Sequence, residues 1–342
     1  MKCINTVDAV GHVLCHDITR IVKDVTKDTA FRKGHIVTEE DIPVLLSLGK
    51  DHLYVWEKDE SMLHENEAAQ ILCEICENAN MHPTEVKEGK IELIADCDGL
   101  FRVDVARLDA INEIDEIMIA TRHSHTAVKK GDRLLGTRVI PLVIAKDKME
   151  QVRTVAGTEP LVSLTPFRSM KAGIVTTGSE VYYHRIKDTF TPVIIDKVTE
   201  YGAEIEGHEI CDDNPEMIED AIHDLLRRGC NMILCTGGMS VDPDDRTPGA
   251  IKDTGADIVT YGAPVLPGAM LLLAYYHKDG KTIPVIGLPG CVMYARRTVF
   301  DLILPRIMAD DPVCADEICA YGEGGLCLNC DVCTFPVCGF GK

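Results

Sequence analysis

Asn231-Met-Ile-Leu-Cys-Thr-Gly-Gly-Met-Ser-Val-Asp-Pro-Asp-Asp-Arg-Thr-Pro248 decides how the chain is read. Asn231 to Cys235 is a short aliphatic run, the pattern of a strand buried on both faces, and it stops at Thr236-Gly237-Gly238. Two glycines let the backbone turn sharply and bring N–H groups close to an anion, while Asp242, Asp244 and Asp245 offer hard oxygen ligands for Mg²⁺. The plainer alternative is an ordinary glycine turn beside a solvated acidic face. The flanking sequence separates the two.

At 342 residues the chain is long enough for two or three domains. Lys and Arg number 35 against 55 Asp and Glu, a net charge of −20, which argues against nucleic acid or an anionic membrane as the main partner. An anionic ligand would have to be held by backbone N–H groups, a metal ion or a local basic spot. Met1-Lys-Cys-Ile-Asn-Thr-Val-Asp8 lacks the apolar core of a signal peptide, and no run approaches the length of a membrane span, so the expected location is cytoplasmic. In that compartment fifteen cysteines read as reduced thiols and metal ligands rather than disulfides. Seven Phe, nine Tyr and one Trp leave a mostly aliphatic core, which suits packed α/β layers.

Taken in order, residues 1–60 carry a short helix, with Thr38 and Asp41 at its start and Gly49 as its stop, followed by a strand from Asp51 to Glu57 that alternates Leu53 and Val55 with His52, Tyr54 and Trp56. Glu65 to Ala79 reads as an amphipathic helix containing Cys73-Glu-Ile-Cys76, taken as buried thiols rather than a redox pair. Residues 61–168 then form a small, mostly β region, with strands at Lys90–Ala95, Asp115–Thr121 and Val139–Ala145. His123 and His125 fall two apart on a strand there and read as a surface pair.

From Lys171 strand and helix alternate. Ala172–Thr177 is a strand, Pro192–Tyr201 a helix stopped by Gly202, and Ala203–Cys211 a strand. Asn214-Pro215-Glu216 is an N-cap, a first-turn proline and a first-turn acid. A helix near Thr247–Thr254, a strand near Ile258, a strand pair joined through Asp279-Gly280 and one helix from Val292 to Met308 complete the unit. The fold class is α/β, a three-layer, mainly parallel sheet in residues 169–309, preceded by a smaller α+β or β-rich region. Ligands of such sheets sit at the carboxyl ends of the strands, where three loops wait: Thr177-Gly178-Ser179-Glu180, Thr236-Gly237-Gly238 with its aspartates, and Gly287-Leu288-Pro289-Gly290.

These loops resemble the molybdopterin-binding domain of molybdopterin molybdotransferases and gephyrin. The matching segments are Thr177–Val181, Asp212-Asp213, Thr236–Val241 with Asp245, Pro267-Gly268 and Gly287–Gly290. The likeness covers about residues 170–308 and extends loosely to residues 1–57, which are similar to the stretch preceding this domain in the molybdotransferases. The resemblance implies that molybdopterin, carried in adenylylated form, lies on the glycine loops, and that Mg²⁺ helps molybdate displace AMP. Neutralising two anions with a metal and fixed amides makes physical sense of that chemistry. Carried over by position, Asp245 becomes the first Mg²⁺ ligand and Asp242 a second catalytic candidate. Gly237, Gly238 and Ser240 would cradle phosphate, Gly287 to Gly290 would face the pterin, and Thr177, Gly178, Ser179, Glu180, Asp188, Asp212, Thr236, Pro267 and Gly268 would complete the cofactor site. Departures stand beside the matches. Ser179 replaces an Asp, Phe190 an Asn, Ala269 a Lys, and Cys291-Val292 an Asn-Pro pair.

Residues 310–342 form a cysteine-rich tail, Cys314-x₄-Cys319-x₇-Cys327-x₂-Cys330-x₂-Cys333-x₄-Cys338. Thiols at this spacing can hold Zn²⁺ or an iron–sulfur cluster through Cys327, Cys330, Cys333 and Cys338, and both stay open here. The run resembles the bacterial ferredoxin pattern, with Cys338 one residue later and the proline before it. The reading is molybdenum cofactor biosynthesis by a molybdotransferase-like enzyme acting on molybdopterin or its nucleotide form and molybdate. A non-catalytic carrier or sensor of the cofactor is the main rival, and a nucleotide pyrophosphatase on the same fold a weaker one. Expected partners are molybdoenzymes or cofactor-pathway proteins and further copies of the chain.

Overall fold

Each residue of Met232–Thr236 is buried, as the aliphatic run requires. In a computed structural model that describes residues 2–22, 26–55, 60–240, 242–243 and 245–342, this strand is central to a six-stranded sheet. Trp56 and Glu57 of the first predicted strand, and Val241 and Asp244 of the glycine loop, lie outside the described residues. The chain divides into two compact units, one made of residues 1–96, 103–122 and 131–163 and the other of residues 97–102, 123–130 and 164–342.

The sheet of the second unit contains β1 (Lys171–Thr177), β2 (Glu204–Cys211), β3 (Met232–Thr236), β4 (Asp257–Tyr261), β5 (Leu272–Lys278) and β6 (Lys281–Leu288), in the order β2-β1-β3-β6-β5-β4. The first four strands of that order are parallel, and β5 and β4 are antiparallel additions. The β5–β6 hairpin turns on Asp279 and Gly280, both at positive φ (50° and 73°), the backbone that a two-residue hairpin turn needs.

Helices cover both faces because the strands are apolar at successive positions. Ile174, Leu234 and Ile286 point to one side, where α1 (Thr191–Thr199) supplies Ile194 and Val198 and α4 (Val299–Met308) supplies Phe300 and Ile303. Val175, Ile233 and Val285 point to the other, against Ile218, Ile222 and Leu225 of α2 (Pro215–Arg227) and Ile251 of α3 (Thr247–Asp253). The predicted cap of α2 is present: Asn214 Oδ1 accepts from the Glu216 and Met217 amides at 2.9 and 3.3 Å. The single helix predicted from Val292 to Met308 is in fact two. A 3₁₀ turn covers Gly290–Met293 and α4 starts only at Val299, because Thr298 caps it reciprocally with Asp301.

The tail is not an appendage. Val313, Ile318 of α5 (Ala315–Ala320) and Phe340 are buried in the same apolar cluster as α4, with Tyr321, Cys327, Phe335 and Cys338 packed against it. Arg306, 3% exposed, pairs with Asp311 at 2.6 Å and Glu317 at 2.8 Å. Leu266 exchanges backbone bonds with Gly325 and Cys327, both at 2.8 Å. The few apolar residues of this segment are thus packed on α4.

In the first unit, Lys2–Asn5 pairs with His52–Val55 over a core of Ala9, Leu14, Ile18, Val37, Leu45 and Leu53. Leu53 and Val55 face in and Tyr54 faces out, as the alternation predicts. Asp41 Oδ2 accepts from the Thr38 amide at 2.8 Å at the start of the predicted helix, which runs Asp41–Ser47. A four-stranded antiparallel sheet follows, in the order Met81–Pro83, Lys90–Ala95, Arg133–Val139, Ile117–Thr121. The helix predicted from Glu65 to Ala79 is present as Glu65–Cys76, and the region predicted as mostly β holds two further helices, Val105–Asn112 and Lys146–Ala156. Cys73 and Cys76 are buried thiols, as expected. His123 and His125 of the second unit sit in a turn before Thr126–Val128 rather than on a strand, with His125 at φ 57°.

Candidate functional site

Strands β1 and β3 leave the sheet side by side, and β2 lies on the far side of β1. The connection from β1 therefore runs to the β2 side and that from β3, through α3 to β4, to the other side, the arrangement in which such sheets form a ligand crevice at the carboxyl ends of the two strands. Thr177-Gly178-Ser179-Glu180 follows β1 and Thr236-Gly237-Gly238-Met239-Ser240 follows β3. Thr177 Oγ1 is 3.0 Å from Thr247 Oγ1, which in turn donates to the Gly237 carbonyl at 2.9 Å. Both glycines have positive φ, 85° and 55°, and a Cβ on either would run into Thr177 or Thr247. Close approach of two loops, rather than ligand alone, thus requires glycine here.

The β1 loop is closed from the β2 side. The Ser179 amide donates to Asp213 Oδ2 at 2.9 Å, and Tyr183 Oη donates to Asp212 Oδ2 at 2.8 Å. That bond to the Asp212 carboxylate raises the Tyr183 phenol. Glu180 is exposed beside Gly178. Asp188 caps α1, accepting from the Phe190 and Thr191 amides at 2.8 and 3.1 Å, and lies 3.7 Å from His208 Nε2. Burial works to raise the Asp188 carboxyl, but its donors and His208 outweigh burial and hold it below the usual range.

On the β3 side the Asp242 amide donates to Asp245 Oδ2 at 3.2 Å and the Asp245 amide to the Asp242 carbonyl at 3.0 Å, so the two aspartates belong to one local turn. Tyr261, at the end of β4, donates to the Met239 and Ser240 carbonyls at 3.1 and 3.3 Å. Burial, then the Asp245 charge, raise its phenol. Gly287 lies under Met239, whose Cε would be 2.5 Å from a Cβ there, and Leu288 is fully buried in the core, so Gly290 is the exposed member of the Gly287–Gly290 loop. Pro267 and Gly268 come to the same edge because β5 runs antiparallel to β6; a Cβ on Gly268 would meet Val299 Cγ1 at 2.6 Å.

The structure therefore brings Thr177, Gly178, Ser179, Glu180, Asp212, Thr236, Gly237, Gly238 and Ser240 to the carboxyl ends of β1, β2 and β3, with Asp242 and Asp245 in the loop after β3. Among the described residues no group of three or more His, Cys, Asp or Glu side chains is set to hold a metal ion. That holds for Asp242 with Asp245 and for the tail thiols alike. Sequence reasoning missed a buried polar chain behind the loops: Thr176 Oγ1 contacts Thr191 Oγ1 and His208 Nε2, each at 2.9 Å, and Thr236 Oγ1 at 3.3 Å. Its only signal in sequence was polar residues at inward strand positions. Tyr261 carried none.

A three-layer α/β domain with glycine loops at a switch point of its sheet defines the class of protein. Residues 173–309 match the family described as "Probable molybdopterin binding domain". Residues 3–57 match a family described only as a domain of unknown function. A CinA-like protein of Mycobacterium avium (strain 104) is 39% identical over 79 residues, 23% of this chain and 18% of the relative. One of Mycobacterium tuberculosis (strain ATCC 25177 / H37Ra) is 38% identical over the same length. The chain thus spans less than a fifth of the length of these relatives. Among solved structures, the tungsten cofactor synthesizing protein MoaB from Pyrococcus furiosus has 16% identity and a TM-score of 0.33, over 42% of this chain and 91% of that one. The molybdopterin biosynthesis enzyme MoaB of Thermus thermophilus has 21% identity and 0.33, over 40% and 91%. No helix among the described residues is long and apolar enough to cross a membrane.

Proposed function

We propose that the α/β domain binds molybdopterin, free or adenylylated, in the crevice between β1 and β3, and serves molybdenum cofactor biosynthesis by assisting Mg²⁺-dependent molybdate insertion with release of AMP. The observation that carries this is the meeting of Thr177–Glu180 and Thr236–Ser240 at the switch point, within a domain that matches the molybdopterin-binding family. Backbone amides of the β3 loop hold the phosphate and Thr177 with Thr247 keeps the two loops in register. Mg²⁺ typically takes one or two carboxylates, with waters and phosphate oxygens completing its shell, so Asp245 with Asp242 fits an ion that arrives with the phosphate. When bound, that ion would neutralise the phosphoanhydride and the incoming molybdate. Glu180 and Asp212 bound the β1 side, and Gly290 with Pro267 the far side.

A second reading has its own support. Ser179, Phe190, Ala269 and Cys291-Val292 alter four polar positions of the resembling enzymes, and Phe190 packs against the apolar cluster of α1 and α4. This favours a non-catalytic carrier or sensor in the same crevice. The functional division into residues 1–60, 61–168, 169–309 and 310–342, the self-association of the chain, and Zn²⁺ or iron–sulfur on Cys327, Cys330, Cys333 and Cys338 are part of the same proposal.

Mixing the anaerobically purified chain with adenylylated molybdopterin, molybdate and Mg²⁺ tests it. Ligand retained on gel filtration with AMP released stoichiometrically is the enzyme's outcome. Retained ligand without AMP assigns the carrier. AMP released without molybdate assigns a pyrophosphatase, and no retained ligand removes the site.

A further inference from the structure

Four of the six tail thiols, those of Cys327, Cys330, Cys333 and Cys338, line one cavity of about 460 Å³. The other two do not: Cys314 caps α5 and Cys319 lies within it. The opposite wall is Pro267 with Tyr294–Arg297, the segment between the 3₁₀ turn and α4. Arg296 Nη1 donates to the Cys330 and Asp331 carbonyls at 3.1 and 2.7 Å, so this wall and the cysteine loop are joined by direct bonds. The Arg297 guanidinium lies 4.9 Å from the Phe335 ring centroid and 3.0 Å from Asp301. Leu326, Leu328 and Phe340 add apolar surface to a lining that also includes Asn329 and Thr334.

A single tetrahedral zinc draws its sulfurs to about 2.3 Å from one point, which would leave no hollow between them. Here the four thiols share the lining of a space many times the roughly 30 Å³ of one water. Among the described residues no three of them are set for one ion. A cluster of several irons with bridging sulfides is the thiolate-bound group that needs such a space. Four thiolates around it carry net negative charge. In a chain of net charge −20, Arg296 and Arg297 supply the cationic surroundings and backbone contacts that tune such a site. The x₂, x₂, x₄ spacing brings all four cysteines to one cavity, so one cluster takes all of them.

We infer that this cavity is an iron–sulfur site held by Cys327, Cys330, Cys333 and Cys338 and walled by Tyr294–Arg297. The inference rests on the proposal that the tail binds metal, and deepens it by choosing the cluster. Because Arg296 ties the wall to Cys330 and Asp331, filling the cavity also fixes the segment that continues from Gly290.

Metal and acid-labile sulfide analysis of the full chain, purified without oxygen or reconstituted with ferrous iron and sulfide, decides the matter, together with spectra after dithionite reduction. About four irons and four sulfides per chain are expected, as in a [4Fe–4S] cluster. Cys330→Ala with Cys333→Ala should lower bound iron by more than about tenfold with the far-UV spectrum unchanged, while Cys314→Ala with Cys319→Ala keeps it. Hydrogen exchange at residues 294–297 and 326–338 should slow on loading. Stoichiometric zinc without sulfide would overturn the cluster and leave the tail's metal binding standing, whereas no metal under either condition would overturn both. Iron retained by the Cys330/Cys333 variant would overturn the ligand assignment. Should that variant not accumulate, the wild-type iron, sulfide and zinc values decide alone.

Discussion

Thr177 Oγ1 and Thr247 Oγ1 lie 3.0 Å apart, and the second also donates to the Gly237 carbonyl, so the end of β1 and the start of α3 are clamped across the β3 loop. Gly237 is held so tightly that any side chain would collide with Thr177. Gly237→Ala is expected to destabilise the domain by about 1–3 kcal/mol, from strain at φ 85° together with the collision. Urea unfolding measures it. Gly249→Ala, inside α3 and open around its Cβ, serves as the control and should leave stability unchanged or raise it by up to about 1 kcal/mol.

The tail's docking makes a second prediction. Ile318, 1% exposed, and Phe340, 5% exposed, complete the cluster that α4 builds. Ile318→Ala should cost about 2–5 kcal/mol and Phe340→Ala about 3–5 kcal/mol, the range for truncating buried side chains of these sizes. Limited proteolysis should then cut first after residue 310. A tail as resistant in both variants as in wild type would contradict the packing role.

In the first unit, burial pushes the Cys73 thiol from 9.0 up to about 11 and the Cys76 thiol up to about 12. The unfolded chain ionises these thiols first as pH rises, so their contribution is intact below the ordinary value and is lost on the way up to the folded values. Stability should therefore fall between about pH 9 and pH 11–12. The fall should be shallower in Cys73→Ala with Cys76→Ala, as read from melting temperature against pH. An unchanged slope would show that other groups govern alkaline unfolding.

Much of this fold could be read from sequence because the deciding signals are local. Asn214-Pro215 announced α2, Asp279-Gly280 the last hairpin, and the aliphatic runs of β1 and β3 a sheet covered on both faces. The loops at their carboxyl ends followed from strand direction alone. What escaped depends on distant partners. Ile318 and Phe340 look too sparse to order a tail until the surface of α4 is there to receive them. The break at residues 294–298 follows from Asp301 bonding back to Thr298 at 2.7 Å, and the apolar spacing on either side conceals it. The helix Val105–Asn112 had a legible cap, Asp104, whose carboxylate accepts from the Arg107 amide at 3.0 Å, but it sat among strands and was absorbed into them. In the candidate site, Gly287 reads as a ligand glycine in sequence, and in space Met239 also lies where its Cβ would be.

The central claim is that an anionic pterin is bound between β1 and β3 with a metal held by the β3 loop. Calorimetric titration of anaerobic protein with adenylylated molybdopterin, with and without Mg²⁺, tests this most directly when wild type is compared with Asp245→Asn. Saturable binding that strengthens with Mg²⁺ is predicted, weakened in the variant by about 1–3 kcal/mol with its unfolding midpoint unchanged. Identical affinity in the two proteins would contradict the Asp245 assignment, and no binding by the folded wild type would contradict the site.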